Sequence, residues 1–255
     1  MREPGLGGLR GFGDPFAEPE APPPSLDSVR VRLAQIREAI DRTCVRVGRE
    51  PSSVKIIGVT KTLTVEEIQP ALEAGLDDLG ENYVQEARKK AAALPGTRWH
   101  MIGNLQRNKV NLAVDLFEGI HSLDSLPLIR RLDERCKARN RKLWGLLQIK
   151  QGGEKSKQGL KEDAAFELLD ALRKEPLEFL RLTGLMSVPP PVDDPEQNRP
   201  HFRALRTLLG RIQEQGYPFW SGSELSMGMS DDYLVAVEEG ATMVRLGRAV
   251  FGERH

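Results

Sequence analysis

The run Val54-Lys55-Ile56-Ile57-Gly58-Val59-Thr60-Lys61-Thr62-Leu63-Thr64-Val65-Glu66-Glu67 decides the architecture. Its first seven residues form a short β-branched stretch, which predicts a strand. Thr64-Val65-Glu66-Glu67 is a capping box: the threonine and the glutamate three residues later satisfy each other's backbone N–H groups. The helix opened there ends at Gly75. Between strand and helix lies neither GxGxxG nor GxxxxGK[ST], so nucleotide binding through those loops is disfavoured.

The strand–helix alternation repeats downstream. Strands are expected at Asp78–Gly80, Arg98–Ile102, Gly119–His121, Leu143–Ile149, Phe179–Thr183, Glu224–Leu225 and Thr242–Leu246. Helical stretches separate them: Val84–Ala93, a turn near Gln106–Leu112, Leu126–Ala138, Lys161–Arg173, Glu196–Gln215 and Asp231–Glu239. Periodicity alone does not establish the second and seventh strands. Eight strand slots alternating with helices over about 200 residues nevertheless favour a single (β/α)8 TIM barrel over an open doubly wound sheet.

Upstream, Val29, Leu33, Ile36, Ile40, Cys44 and Val47 recur at spacings of three and four. They predict an additional amphipathic N-terminal helix from Ser25 to Gly48. Residues 1–24 carry six of the seventeen prolines and read as a disordered leader, leaving 25–255 as one barrel domain.

The chain has 255 residues, with 37 Lys plus Arg against 37 Asp plus Glu. A net charge of zero gives little reason to expect nucleic acid or an anionic membrane as a partner. No apolar run approaches a membrane span and no signal pattern opens the chain. Cys44 and Cys136 read as reduced packing residues in a cytoplasmic protein. The four histidines and two cysteines show no metal-ligand spacing.

Barrel enzymes work at the C-terminal ends of their strands. The residues expected there are Lys61, Glu81-Asn82-Tyr83, Asn104, His121, Lys150, Met186-Ser187, Ser226-Met227-Gly228-Met229-Ser230 and Arg245-Leu246-Gly247-Arg248. Lys61, directly after an apolar strand, would be partly desolvated, which frees an amine for Schiff-base chemistry. The other reading is a strand-end lysine snorkelling into solvent. The seventh and eighth loops are where barrels often bind phosphate. There Gly228 admits close approach, Ser230 would cap the helix beginning at Asp231, and Gly247-Arg248 adds access and charge. A rim lysine opposite two such loops points to a phosphorylated aldehyde, with pyridoxal 5′-phosphate the candidate. Arg245 would either face a pyridine nitrogen or pair with Glu224 or Glu81. Trp99-His100, at the start of its strand, reads as structural.

Several longer stretches carry a resemblance. Gly58–Thr62, Gly80–Glu86, Trp99–Lys109, Gly153–Leu160, Leu225–Asp231 and Val244–Gly252 resemble, in order and spacing, the pyridoxal-phosphate homeostasis protein family. The likeness covers about residues 26–254. It implies a barrel of the alanine-racemase N-terminal kind, the type III fold of pyridoxal-phosphate proteins, with the cofactor held as a Schiff base on Lys61. By matching positions, Ser226, Met227, Ser230, Gly247 and Arg248 would hold the phosphate. Arg245 would face the pyridine nitrogen, with Asn82 and His121 near the ring. It also implies a monomer or weak dimer acting in vitamin B6 balance, with apo pyridoxal-phosphate enzymes as partners. The family commonly has Ser-Lys-Thr-Lys-Pro around the lysine where this chain has Thr60-Lys61-Thr62-Leu63-Thr64, and asparagine where it has Lys150. Asn104 and Arg248 occupy positions that vary within the family.

The related racemases take a second base, a tyrosine, from an additional domain. Four residues follow Phe251, so that domain is expected to be missing. A cofactor carrier or buffer is therefore favoured over the alternative, a weakly active amino-acid racemase.

Overall fold

A computed structural model of the chain describes residues 24–151 and 158–253. The disordered leader expected over 1–24 lies, apart from Pro24, outside the described residues.

Eight parallel strands close into a barrel in chain order. They are β1 (Lys55–Val59), β2 (Asp78–Glu81), β3 (Arg98–Met101), β4 (Gly119–Leu123), β5 (Leu143–Ile149), β6 (Leu180–Ser187), β7 (Glu224–Ser226) and β8 (Met243–Leu246). Closure comes from β1, which pairs with β2 on one side and β8 on the other, Lys55–Gly58 lying against Met243–Leu246. Around the barrel run α2 (Val65–Glu73), α3 (Val84–Ala93), α4 (Val110–Leu116), α5 (Leu126–Ala138), α6 (Glu162–Lys174), α7 (Arg199–Glu214), α8 (Tyr233–Glu238) and α9 (Arg248–Phe251). Ahead of them α1 (Leu26–Arg46) is capped by Ser25, whose side chain accepts from the Ser28 N–H. It straps the first β/α unit to the last: Arg32 donates to the Val250 carbonyl at 2.7 Å, and Arg49, just beyond the helix, donates to the Val237 and Ala241 carbonyls. Among the described residues no helix is long and apolar enough to cross a membrane.

The two strands that periodicity could not establish are both present, and both are short. They are held by neighbours: all four residues of β2 are buried, and β7 is three residues between β6 and β8. Other boundaries move. β6 continues four residues beyond its expected end, through Gly184, where its register against β5 shifts between Gly145 and Leu146. The helix expected from Asp231 begins at Tyr233.

The end of β1 is fixed by a buried ion pair. Glu81, wholly buried at the end of β2, accepts from the Thr60 hydroxyl at 2.9 Å and its neighbour's N–H, Asn82, at 3.0 Å. Lys90 of α3 reaches back to Glu81 and also donates to the Thr60 carbonyl at 2.7 Å. Removing one member of a buried pair strands the other charge, a loss of about 3 kcal/mol or more. Lys90→Met should therefore lower the unfolding free energy measured in urea by that order, and adding Glu81→Gln, which removes the stranded charge, should restore part of it.

Candidate functional site

The ion pair locates the first residue of the site. Thr60 is buried, Thr62 has φ 66, and between them Lys61 stands exposed on the rim at the C-terminal end of β1. A positive φ is uncommon for a β-branched residue, so the turn after the lysine is held by its surroundings. The desolvation expected of Lys61 is not present, because β1 ends at Val59 and burial stops at Thr60.

Beside Lys61 lies a cleft of about 500 Å³, within the range of small-molecule sites. Arg245 of β8 forms part of its wall and is only 4% exposed. Its Nη1 donates to Ser226 Oγ and its Nη2 to the Ser187 carbonyl, both at 2.8 Å. Burial lowers its pKa to about 10, which leaves it cationic at neutral pH. Neither carboxylate weighed as its partner is used: Glu81 serves Lys90 and Thr60, and Glu224 accepts from Thr242.

Adjoining Arg245 in the wall is the turn after β7. Gly228 has φ +90, and a Cβ there would come within 2.6 Å of Ala236 Cβ, so only glycine fits. The Arg245 N–H donates to the Gly228 carbonyl at 3.0 Å, tying this turn to β8. Asp232, rather than Ser230, precedes the helix, and its carboxylate accepts from the Met229 N–H at 2.7 Å and from Asn198 at 2.8 Å. Ser230 Oγ instead accepts from the Ala249 N–H at 3.2 Å, joining the seventh loop to the eighth. Arg248 is exposed and grips Asp231 with two hydrogen bonds of 2.7 and 2.6 Å.

Beneath Arg245 the barrel interior is polar. Ser226 Oγ lies 2.9 Å from His121 Nδ1, His121 Nε2 lies 3.3 Å from His100 Nδ1, and His100 Nε2 lies 2.8 Å from Asp78 Oδ1. Both rings are fully buried, and the Trp144 ring packs against them at 5.6 and 5.2 Å. Burial, then the neighbouring His100 and Arg245, pushes the His121 pKa well below the ordinary histidine value, so it is neutral. At the floor, burial opposes ionisation of Asp78. Hydrogen bonds from His100 and Arg98 nonetheless hold its carboxyl well below the usual range.

Comparison with known proteins assigns this architecture. Residues 31–255 match the family model for the alanine racemase N-terminal domain. The pyridoxal phosphate homeostasis protein of Aquifex aeolicus (strain VF5) is 39% identical over 228 residues, spanning 88% of this chain and 97% of its own. That of Escherichia coli (strain K12) is 35% identical, spanning 90% and 98%. The chain belongs to the pyridoxal phosphate homeostasis protein family. Among solved structures of similar proteins, PipY of Synechococcus elongatus PCC7942, solved with PLP bound, is 35% identical. Its TM-score is 0.78, covering 88% of this chain and all of that one. An alanine racemase from Clostridium difficile 630, at 16% identity and TM-score 0.71, shares the fold; the match spans 93% of this chain and 63% of the racemase.

For a member of this family the nine expected cofactor residues divide in two. Lys61, Asn82, Ser230, Arg245, Gly247 and Arg248 line the cleft. His121, Ser226 and Met227 lie below it: the first two are in the polar interior, while Met227 is fully buried with its N–H donated to the Met243 carbonyl. From β5 the wall receives Gln148 rather than Lys150. Asp78 and His100 were missed as site residues. Their signal is alternation along β2 and β3, which turns Asp78 and Gly80, and His100, to one side, but short strands give that pattern few residues to show. Among the described residues no group of three or more His, Cys, Asp or Glu could hold a metal ion.

Asp78 makes the fold acid-sensitive. A carboxyl whose pKa is depressed on folding contributes stability that is complete above the unfolded value near 3.9, and it loses that contribution as pH falls toward the folded one. Thermal unfolding should show Asp78→Asn less stable than the parent at neutral pH. The gap should narrow as pH falls below about 4.

Proposed function

We propose that this chain binds pyridoxal 5′-phosphate in the cleft and acts in vitamin B6 homeostasis as an intracellular carrier, holding the cofactor as a Schiff base on Lys61. The observation that carries this is the presence of an exposed rim amine and a buried guanidinium in the lining of one small-molecule cleft. When bound, the cofactor supplies an aldehyde that amines capture reversibly. Lys61 offers such an amine. Arg245 offers a fixed cation that would keep a pyridine nitrogen unprotonated, which weakens the ring as an electron sink. Ser230, Gly247 and Arg248, on two loops tied together, would hold the phosphate, with Asn82 beside the ring.

One feature beside the cleft fits that ligand. Ser187 Oγ, next to the cleft residue Val188, is buried with no hydrogen-bond partner among the described residues, and its own carbonyl accepts from Arg245, which lines the cleft. The family relatives are named for pyridoxal phosphate homeostasis, and the PipY structure was solved with PLP bound.

Delivery suits the rim. An exposed lysine leaves the carbon it captures open to water and to amines of recipient apo-enzymes. Cys44 and Cys136 are free and buried, in keeping with a cytoplasmic protein. A second reading, weak racemase-like catalysis, is favoured by one observation: the Tyr83 phenol, 62% exposed, stands beside Asn82 at the mouth.

Incubated with pyridoxal 5′-phosphate, the full chain should gain a visible absorbance band that Lys61→Ala abolishes. Survival of the band in that variant would remove Lys61 from the site. Mixed with an apo pyridoxal-phosphate enzyme, the loaded protein should restore activity. Absence of transfer, together with amino-acid turnover lost in Tyr83→Phe, would establish the catalytic reading instead.

A further inference from the structure

The polar interior contains a chain of five groups running from the floor of the barrel to the cleft. Asp78 stands where β2 begins, His100 and His121 lie within β3 and β4, and Ser226 ends β7 below Arg245 of β8. Each link has hydrogen-bond geometry, and every link is buried.

The donors and acceptors along it can be counted. A guanidinium only donates, so Ser226 Oγ accepts from Arg245 Nη1. The serine then has one proton to give, and His121 Nδ1 is 2.9 Å away. If His121 accepts there, its proton sits on Nε2 and goes to His100 Nδ1, leaving the His100 proton on Nε2 facing Asp78 Oδ1. With one proton on each ring and none on the carboxylate every group is satisfied, and all the bonds point one way. The opposite direction needs a second proton on His100, a fully buried ring. Asp78 already receives Arg98 through two hydrogen bonds and has Lys55 at 3.7 Å, so its charge is compensated without that proton.

We propose that Asp78 and His100 are positioning residues for Arg245: through His121 and Ser226 they fix a one-way hydrogen-bond chain that holds the guanidinium in place at the cleft. The carboxylate sets the tautomer of His100, which sets that of His121, which takes the serine proton and leaves Ser226 Oγ as an acceptor. With Nη1 held by Ser226 and Nη2 by the Ser187 carbonyl, the plane of the guanidinium is determined from below. A chain pointing the other way would still place Ser226 Oγ near Arg245, but its own proton would compete for the same space. The consequence for a bound ring rests on the cofactor reading above; the direction of the chain does not.

The direction is read first in the ligand-free protein, by two-bond proton–nitrogen correlation of the histidine side chains, assigned with the variants His201→Gln, His255→Gln and His121→Gln. Both His100 and His121 should show the neutral tautomer protonated on Nε2. A proton on Nδ1 of His121, or on both nitrogens of His100, would overturn the proposal. The second arm uses protein loaded with pyridoxal 5′-phosphate. His100→Phe, which keeps an aromatic ring and removes both nitrogens, should shift the visible band and weaken cofactor binding about tenfold, the scale of one lost hydrogen bond to a charged network. Trp144→Phe changes the packing on both rings and leaves every hydrogen bond of the chain, so it should leave the band in place. Equal shifts from the two variants would reduce His100 to packing and overturn the positioning role. No band in the parent protein would overturn the cofactor reading alone, since the tautomers would still decide the direction.

Discussion

A guanidinium buried inside a closed barrel constrains everything around it. Arg245 is held away from water on the last strand, where an ordinary barrel would place an aliphatic side chain. An unpaired buried charge costs several kcal/mol, so the cation must be met by hydrogen-bond acceptors. Among the described residues no carboxylate forms an ion pair or hydrogen bond with it. The Ser187 carbonyl and Ser226 hydroxyl accept from it, and the serine needs a partner of its own in turn. That need draws His121, His100 and Asp78 into the interior and makes four of the eight strands polar inside. Countercharge acts on Arg245 from Asp232 in the seventh loop, while at the floor Arg98 and Lys55 keep Asp78 ionised from the solvent side.

The rim obeys the opposite rule. Lys61 is exposed, but the residues that place it are not: Thr60 is clamped through both its hydroxyl and its carbonyl by the buried Glu81–Lys90 pair. Rigidity beneath and access above give an amine that is aimed without being enclosed. The seventh and eighth loops share this design, since Ser230 and Asp232 use their side chains to fasten backbone N–H groups of neighbouring segments. Side chains here largely shape the backbone, and glycine at 228 lets the turn pack closely on Tyr233 and Ala236.

How much of this could be read from the residues depended on how local the cause was. The barrel, the capping box at Thr64 and the helix at Ser25 follow from short-range pattern, and all three stand in the structure. Lys61 and the seventh and eighth loops could be found because a strand end followed by a charged or glycine-containing turn is legible. Ser230 could not be told from Asp232 as the residue ahead of α8, since both are good caps two positions apart. His100 was set aside because it sits near the start of a short strand; its role depends on His121, twenty-one residues away, and on Asp78, twenty-two away. The distance between Lys150 and the wall is likewise a matter of which way a strand end turns, and Gln148 takes that place.

The seam between β1 and β8 has a consequence for how the chain comes into being. Lys55 pairs with Met243, and α1 rests on segments that include Val237 and Val250, so the earliest part of the fold is completed by the latest. Contacts between such remote positions form slowly and only after the intervening chain is made. During synthesis the growing barrel therefore carries two unpaired strand edges, the kind of surface that invites association with other chains. The cleft, which draws on both β1 and β8, exists only once that seam has shut.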